Sequence, residues 1–292
     1  MSEVSATAVT AKATARIEAL DAASAREYTR SRRLVRRDVL LSVLTPVALL
    51  AIWELAARVG WIDARLYSPP TRIIAQGAKM IASGQMWADL VPTVLRLLAG
   101  FVTGSIAGIA IGLLMGVSRV VRAALGPMFT ALYALPKIAI LPLLLLIFGL
   151  TETPKILSVA ISVFFVLQIN TVAGVVQIDQ GILEAARAYR ATGWRLFRFV
   201  LLPGAMPSIF TGLQVAAGSG VIVITAVEFV ASNRGLGFLI WNSWQLFMPA
   251  QMYVGLIVVS LLGALLTGAV ILLERAVVPW RRANTQRKKR NT

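Results

Sequence analysis

Residues Glu184 to Gly204 read EAARAYRATGWRLFRFVLLPG, with four arginines and one glutamate in 21 residues. On either side the chain is among its most apolar, so a basic insert divides a protein otherwise written for lipid. Within residues 177–212 two helical patterns recur. Ile182, Ala186 and Tyr189 share one face at i, i+4 and i+7, and Trp194, Phe197 and Leu201 share another at i, i+3 and i+7. Thr192-Gly193 separates the two, glycine being suited to a left-handed helix end. Pro203 is expected to break the helix before the next apolar run. Arg187, Arg190, Arg195 and Arg198 flank the apolar stripes. The pattern predicts a short helix–turn–helix outside the membrane, with aromatics to bury and cations to pair. A protein partner fits that surface; an amphipathic element resting on anionic lipid is the alternative.

Composition points the same way. The 292 residues are 58% hydrophobic and 14% charged, with a mean hydropathy of +0.77, whereas a soluble domain carries roughly a quarter charged residues. With no cysteine and no histidine, disulfide frameworks, zinc sites and histidine acid–base chemistry are excluded. The formal charge of +16 comes from bases clustered beside apolar runs, which suits anionic headgroups better than nucleic acid. No metal site and no catalytic residue is expected.

Spanning helices need about 20 mostly apolar residues. Six candidates follow: Val39–Ala57, Leu97–Val117, Ala124–Leu150 (interrupted by Pro127, Pro136 and Pro142), Ile156–Val176, Leu213–Val230 and Tyr253–Leu273. The fold class expected is all-α and integral to the membrane. With the N-terminus inside, segments 1–38, 118–123, 177–212 and 275–292 carry 21 of the 29 Lys and Arg. The opposite segments carry 6, and Arg96 and Lys137 lie within spans. That asymmetry predicts both termini in the cytoplasm. The chain divides into a basic cytoplasmic leader (1–38) ending in Arg30–Arg37, a membrane domain (39–274) and a basic tail (275–292).

Polar positions within spans are the candidates for a solute pathway. Lys137 sits between Pro136 and Pro142, and either lines a watery path or snorkels to headgroups. Gln168, Asn170, Gln214 and Ser219 either line the path or hydrogen-bond between helices. Glu228 is an intramembrane acid, a functional candidate by default, with Arg234 as a partner that would hold a gate. Gly100, Gly104, Gly108, Gly112 and Gly116 line one helix face. They predict close packing inside the bundle, with a dimer seam or sliding surface as the other reading.

Glu184-Ala185-Ala186 followed eighteen residues later by Leu202-Pro203 resembles the EAA loop of permease subunits of bacterial binding-protein-dependent ABC importers. LPGAMPSIFTGL, VASNRGLGFLIW, Pro136–Gly149 and Leu95–Gly116 look like the nitrate/sulfonate/taurine branch of that family. The resemblance covers roughly residues 40–275. It implies a type I importer permease of the inner membrane that moves a small solute, such as a sulfonate, taurine or nitrate, delivered by a solute-binding protein. It also implies a permease homodimer on two copies of a separate ATPase, with ATP and Mg held there and no cofactor on this chain. The chain has no G-x-x-x-x-G-K-[ST] stretch. The coupling residues carried over are Glu184, Ala185, Ala186, Arg187, Arg190, Gly193, Trp194, Arg195 and Pro203, with Glu184 expected to pair with Arg187 at i+3. One departure stands out: the pattern's glycine falls on Arg190, which leaves Gly193 as the expected turn residue. A secondary transporter or a membrane scaffold without an ATPase would share the hydropathy but would not need the EAA spacing.

Overall fold

The computed structural model describes residues 40–42 and 44–280. The leader expected at 1–38, Val39 of the first span and residues 281–292 of the basic tail lie outside the described residues. Among the described residues every regular element is helical. The chain forms two compact units, one up to Thr71 and one from Arg72 onward.

In the first unit α1 runs over Leu40–Val59, long and apolar enough to cross a membrane. Near its end Glu54 accepts from Arg58 Nε (2.7 Å), from the Thr71 N–H (3.0 Å) and from Thr71 Oγ1 (2.8 Å). These bonds tie the end of α1 to Thr71 at the close of the first unit; α2 spans Pro70–Ala82.

The second unit is built on three long helices, α3 (Gln85–Val117), α6 (Thr153–Val176) and α9 (Leu202–Ala231). Helix α6 lies in the middle. A Cβ on Gly104 would stand 2.4 Å from the Ala160 carbonyl oxygen, and one on Gly100, Gly108, Gly112 or Gly116 would meet Val159, Phe164, Thr171 or Val175 at 2.6–2.7 Å. The five-glycine stripe is therefore a packing seam inside the chain. Apolar side chains gain little by meeting each other in lipid, so close backbone approach supplies the dispersion energy that joins helices there. On its other face α6 meets α9 in the same way, at Gly174 against Ser208 and Gly212 against Asn170. Val159, Val163, Leu167, Ala216, Ala217 and Ile224 fill the shared core.

The third span differs from a single interrupted helix. Helix α4 (Arg119–Ala134) stops before Pro136, a 3₁₀ turn follows (Lys137–Ile140), and α5 (Leu141–Phe148) leaves at 93°. Pro136 lacks the N–H and disfavours the α conformation of Leu135, which is extended at ψ 134°. Tilted and edge-to-face contacts of Phe129 with Phe164 and Phe165 hold α4 on α6.

The second break, expected at Pro203, is absent. One helical stretch runs from Gly193 to Ala231, as α8 (Gly193–Leu196), a π-turn (Phe197–Leu201) and α9. The π-turn shifts the hydrogen bonding by one residue, and Pro203 falls in the first turn of α9, where a missing N–H is tolerated. Two short helices complete the unit outside the sequence-predicted spans: α7 (Gln180–Ala188) in the basic insert and α10 (Leu236–Gln245), which leads into the last span, α11 (Pro249–Val277).

Candidate functional site

The basic insert forms the expected helix–turn–helix, with one correction to its bend. Asp179 caps α7 by accepting the Ile182 N–H (3.3 Å). At the other end the Ala191 N–H reaches the Ala186 carbonyl (2.9 Å) and the Arg190 N–H the Arg187 carbonyl (2.9 Å), the paired bonds of a Schellman end. The residue this motif holds in the left-handed region is Arg190 (φ 53°). The position where the related pattern carries glycine thus keeps the glycine conformation, and an arginine adopts it. Gly193 is also left-handed (φ 53°) and opens α8. The expected Glu184–Arg187 pair does not form, and both side chains are exposed; the pair would gain little there against solvent and side-chain entropy.

Only Ala186 of the first stripe is buried. Tyr189 is 88% and Trp194 68% exposed, with Ile182 and Phe199 also outward. Trp194 stacks on Phe197 at 5.2 Å. The insert therefore presents aromatics ringed by Arg187, Arg190, Arg195 and Arg198 rather than spending them on the chain's own core. Ala185 and Arg195 are exposed, and Pro203 lies in the first turn of α9.

At the other ends of α6 and α9, about 35 Å away by helical rise, lies a cluster that the sequence did not announce. Glu228 of α9 has no exposed surface. Its partner is Arg96 of α3, whose Nη1 donates to Oε1 at 2.8 Å, and not Arg234. Arg234 contributes its carbonyl instead, 2.7 Å from the same nitrogen. Arg96 Nε and Nη2 form a fork on Glu152, in the turn before α6, and Lys155 Nζ adds a third donor there at 2.9 Å. Two carboxylates thus meet two cations. That balance is what makes buried charge tolerable, since removing either partner leaves an uncompensated ion. The Arg96 guanidinium beside it holds the Glu152 carboxyl at about 2, with Lys155 assisting against burial.

The same cluster caps α10. The Gly237 N–H donates to Glu228 Oε2 (2.8 Å), the Leu236 N–H to Thr93 Oγ1 (2.8 Å) and the Gly235 N–H to Asp89 (3.1 Å). Thr93 Oγ1 lies 2.9 Å from both Glu228 oxygens. A Cβ on Gly235 would stand 2.5 Å from that carboxylate, and Gly235 has φ 130°, so side chains are excluded there twice over. A sequence signal existed: Asp89, Thr93, Arg96 and Gly100 recur at i, i+4, i+7 and i+11, on the face that the glycine seam continues.

The pathway candidates all have partners within the chain. Gln168 Nε2 contacts Met115 Sδ (3.1 Å) between α6 and α3, Asn170 Nδ2 bonds the Val166 carbonyl (2.8 Å), Gln214 Nε2 bonds Glu274 (2.6 Å) and Ser219 Oγ the Ala216 carbonyl (3.1 Å). Lys137 Nζ donates to the Tyr133 carbonyl (2.7 Å) and sits 4.1 Å from that ring's centroid. It supplies a donor at the broken end of α4, where carbonyls have lost their helical partners.

Comparison with known proteins settles which kind of membrane protein this is. Residues 100–282 match the model of the family described as "binding-protein-dependent transport system inner membrane component". The chain belongs to that family. It is 36% identical over 235 residues to a putative aliphatic sulfonates transport permease protein of Escherichia coli (80% of this chain, 89% of the relative). It is 30% identical to a taurine transport system permease protein of Escherichia coli (87% and 96%), and 31% identical to a nitrate import permease protein of Leptolyngbya laminosa (84% and 91%). Among solved structures, an inward-facing form of the MetNI methionine ABC transporter superposes with a TM-score of 0.57 at 20% identity (66% of this chain, 97% of that one). The fold is that of a type I ABC importer permease. The chain is a multi-pass inner-membrane permease subunit that works with a solute-binding protein and a separate ATPase. The secondary-transporter and scaffold readings are set aside.

Proposed function

We propose that residues 180–203 are the surface that docks into the ATPase. The carrying observation is an exposed aromatic and arginine knob continuous with one helix from Gly193 to Ala231. Closure of two ATPases on ATP then draws two such knobs together and tilts α9. The permease acts as a homodimer on two ATPase copies, with ATP and Mg held on those subunits. Both termini, with the leader 1–38 and the tail 275–292, face the cytoplasm, on the side of the knob, and residues 39–274 form the membrane domain. The cargo is a small anion of the sulfonate, taurine or nitrate type, a reading supported by the relatives' names.

The test is co-purification. Tyr189→Ala combined with Trp194→Ala removes two exposed rings of the knob while leaving the core of α9 intact. The variant should insert normally and lose the ATPase subunit, and with it ATP-driven uptake of taurine, an alkanesulfonate and nitrate. Full retention of the ATPase by this variant would exclude the docking role. Uptake of none of the three solutes by the intact system would exclude the cargo class.

A further inference from the structure

Helix α10 begins without support of its own. Its first three N–H donors are held by Asp89 and Thr93 of α3 and by Glu228 of α9, and the turn before it hangs on Arg96 through the Arg234 carbonyl and Ser232 Oγ (3.2 Å). Those donors would otherwise make an anion site; here the chain's own carboxylates occupy it, so the cluster is not a stop for anionic cargo. Arg96 uses all three guanidinium nitrogens on three separate segments: the turn before α6, the end of α9 and the turn opening α10. A lysine offers a single nitrogen and could not span them.

Stability alone does not call for this arrangement. The glycine seams already join α3 to α6 and α6 to α9 along their lengths, and a buried ion pair exchanged for apolar side chains of similar size is often neutral or stabilising. What a fixed guanidinium fork adds is one geometry rather than several.

We propose that Arg96 is a positioning residue of the transport cycle, holding Glu228, Glu152 and the Ser232–Gly235 turn so that displacement of α9 reaches α10 and the turn before α6 without slack. The proposal rests on the reading of residues 180–203 as the ATPase-docking knob, from which α9 runs unbroken to Glu228.

The chain has no native cysteine, so a reporter cysteine is unambiguous. Phe247, 85% exposed just beyond α10, is a site for it. In the detergent-solubilised complex of the permease with its ATPase, where both faces are accessible, a maleimide labels Phe247→Cys with and without ATP plus vanadate. In the parent the rate changes with nucleotide. With Arg96→Met and Glu228→Met together, which remove both charges at once, the change should fall about tenfold, the upper range for mutations along a coupling route, while ATPase retention and basal hydrolysis persist. Arg96→Lys should give an intermediate response. A nucleotide response in the double variant equal to the parent's would overturn the proposal. Absence of a response in the parent would overturn this proposal, whereas the docking reading stands or falls separately on ATPase retention by the Tyr189→Ala, Trp194→Ala variant. Should the double variant fail to assemble, Glu152→Gln decides, since it keeps Arg96 on Glu228: a weakened response supports the proposal and an unchanged one overturns it.

Discussion

Arg190 carries the clearest residue-scale consequence. An L side chain in the left-handed region costs about 1–2 kcal/mol, which glycine avoids. Arg190→Gly should therefore stiffen the insert by about 1 kcal/mol, read as slower proteolytic nicking between α7 and α8 in the purified permease. Faster nicking would mean that the arginine side chain contributes more than its backbone strain removes. Glu152, 57% exposed and outside the spanning helices, allows a pH statement. Its folded carboxyl lies near 2 against an ordinary value of 4.5. The stability it contributes is fully present above that ordinary value and is lost as pH falls through about 2. The Tm difference between the parent and Glu152→Gln should thus stay constant between about pH 8 and 5.5 and shrink only in strong acid. A difference that titrates near neutrality would contradict the Arg96 fork.

At the scale of the element, the α3–α6 seam separates two glycines that look alike in sequence. Gly104→Ala drives a methyl into the Ala160 carbonyl at 2.4 Å and should destabilise by about 1–3 kcal/mol, as overpacking does. Gly126→Ala in α4 meets nothing within 4 Å and should stabilise by about 0.5–1 kcal/mol through helix propensity. Thermal unfolding of both variants in detergent measures the contrast, and equal effects would deny that the seam is a contact. The π-turn at Phe197–Leu201 shows why Pro203 misled as punctuation. Proline forbids one N–H, and a helix that shifts its bonding by a residue has no need of it. At Pro136 the helix ends instead, with Leu135 before it extended, as the residue preceding a proline prefers.

For the whole molecule the testable matter is sidedness. Tyr189 and Phe247 are almost fully exposed and lie in chain segments, before α8 and after α10, that the Lys and Arg distribution assigns to opposite sides of the membrane. A single cysteine at Phe247 should react with an impermeant maleimide on intact cells, and one at Tyr189 only after permeabilisation. The reverse pattern would invert the topology drawn from the Lys and Arg distribution.

The spans, the basic helix–turn–helix insert and the glycine face are properties of local composition and period. Apolar length, 3.6-residue spacing and the EAA-to-Leu-Pro interval lie along the chain, so Leu97–Val117, residues 177–212 and Gly100–Gly116 were legible before any coordinates. The Asp89–Thr93–Arg96 stripe was equally periodic, but its meaning was not. Arg96, Glu152 and Glu228 are separated by 56 and 132 residues, and nothing local tells an intramembrane acid which distant base it will meet. Arg234 was near in sequence, yet the chain turns at Ser232 and offers its carbonyl. Only the packing of α6 between α3 and α9 brings the three ends together, because opposite charges in a low-dielectric interior must pair with whatever the fold places beside them.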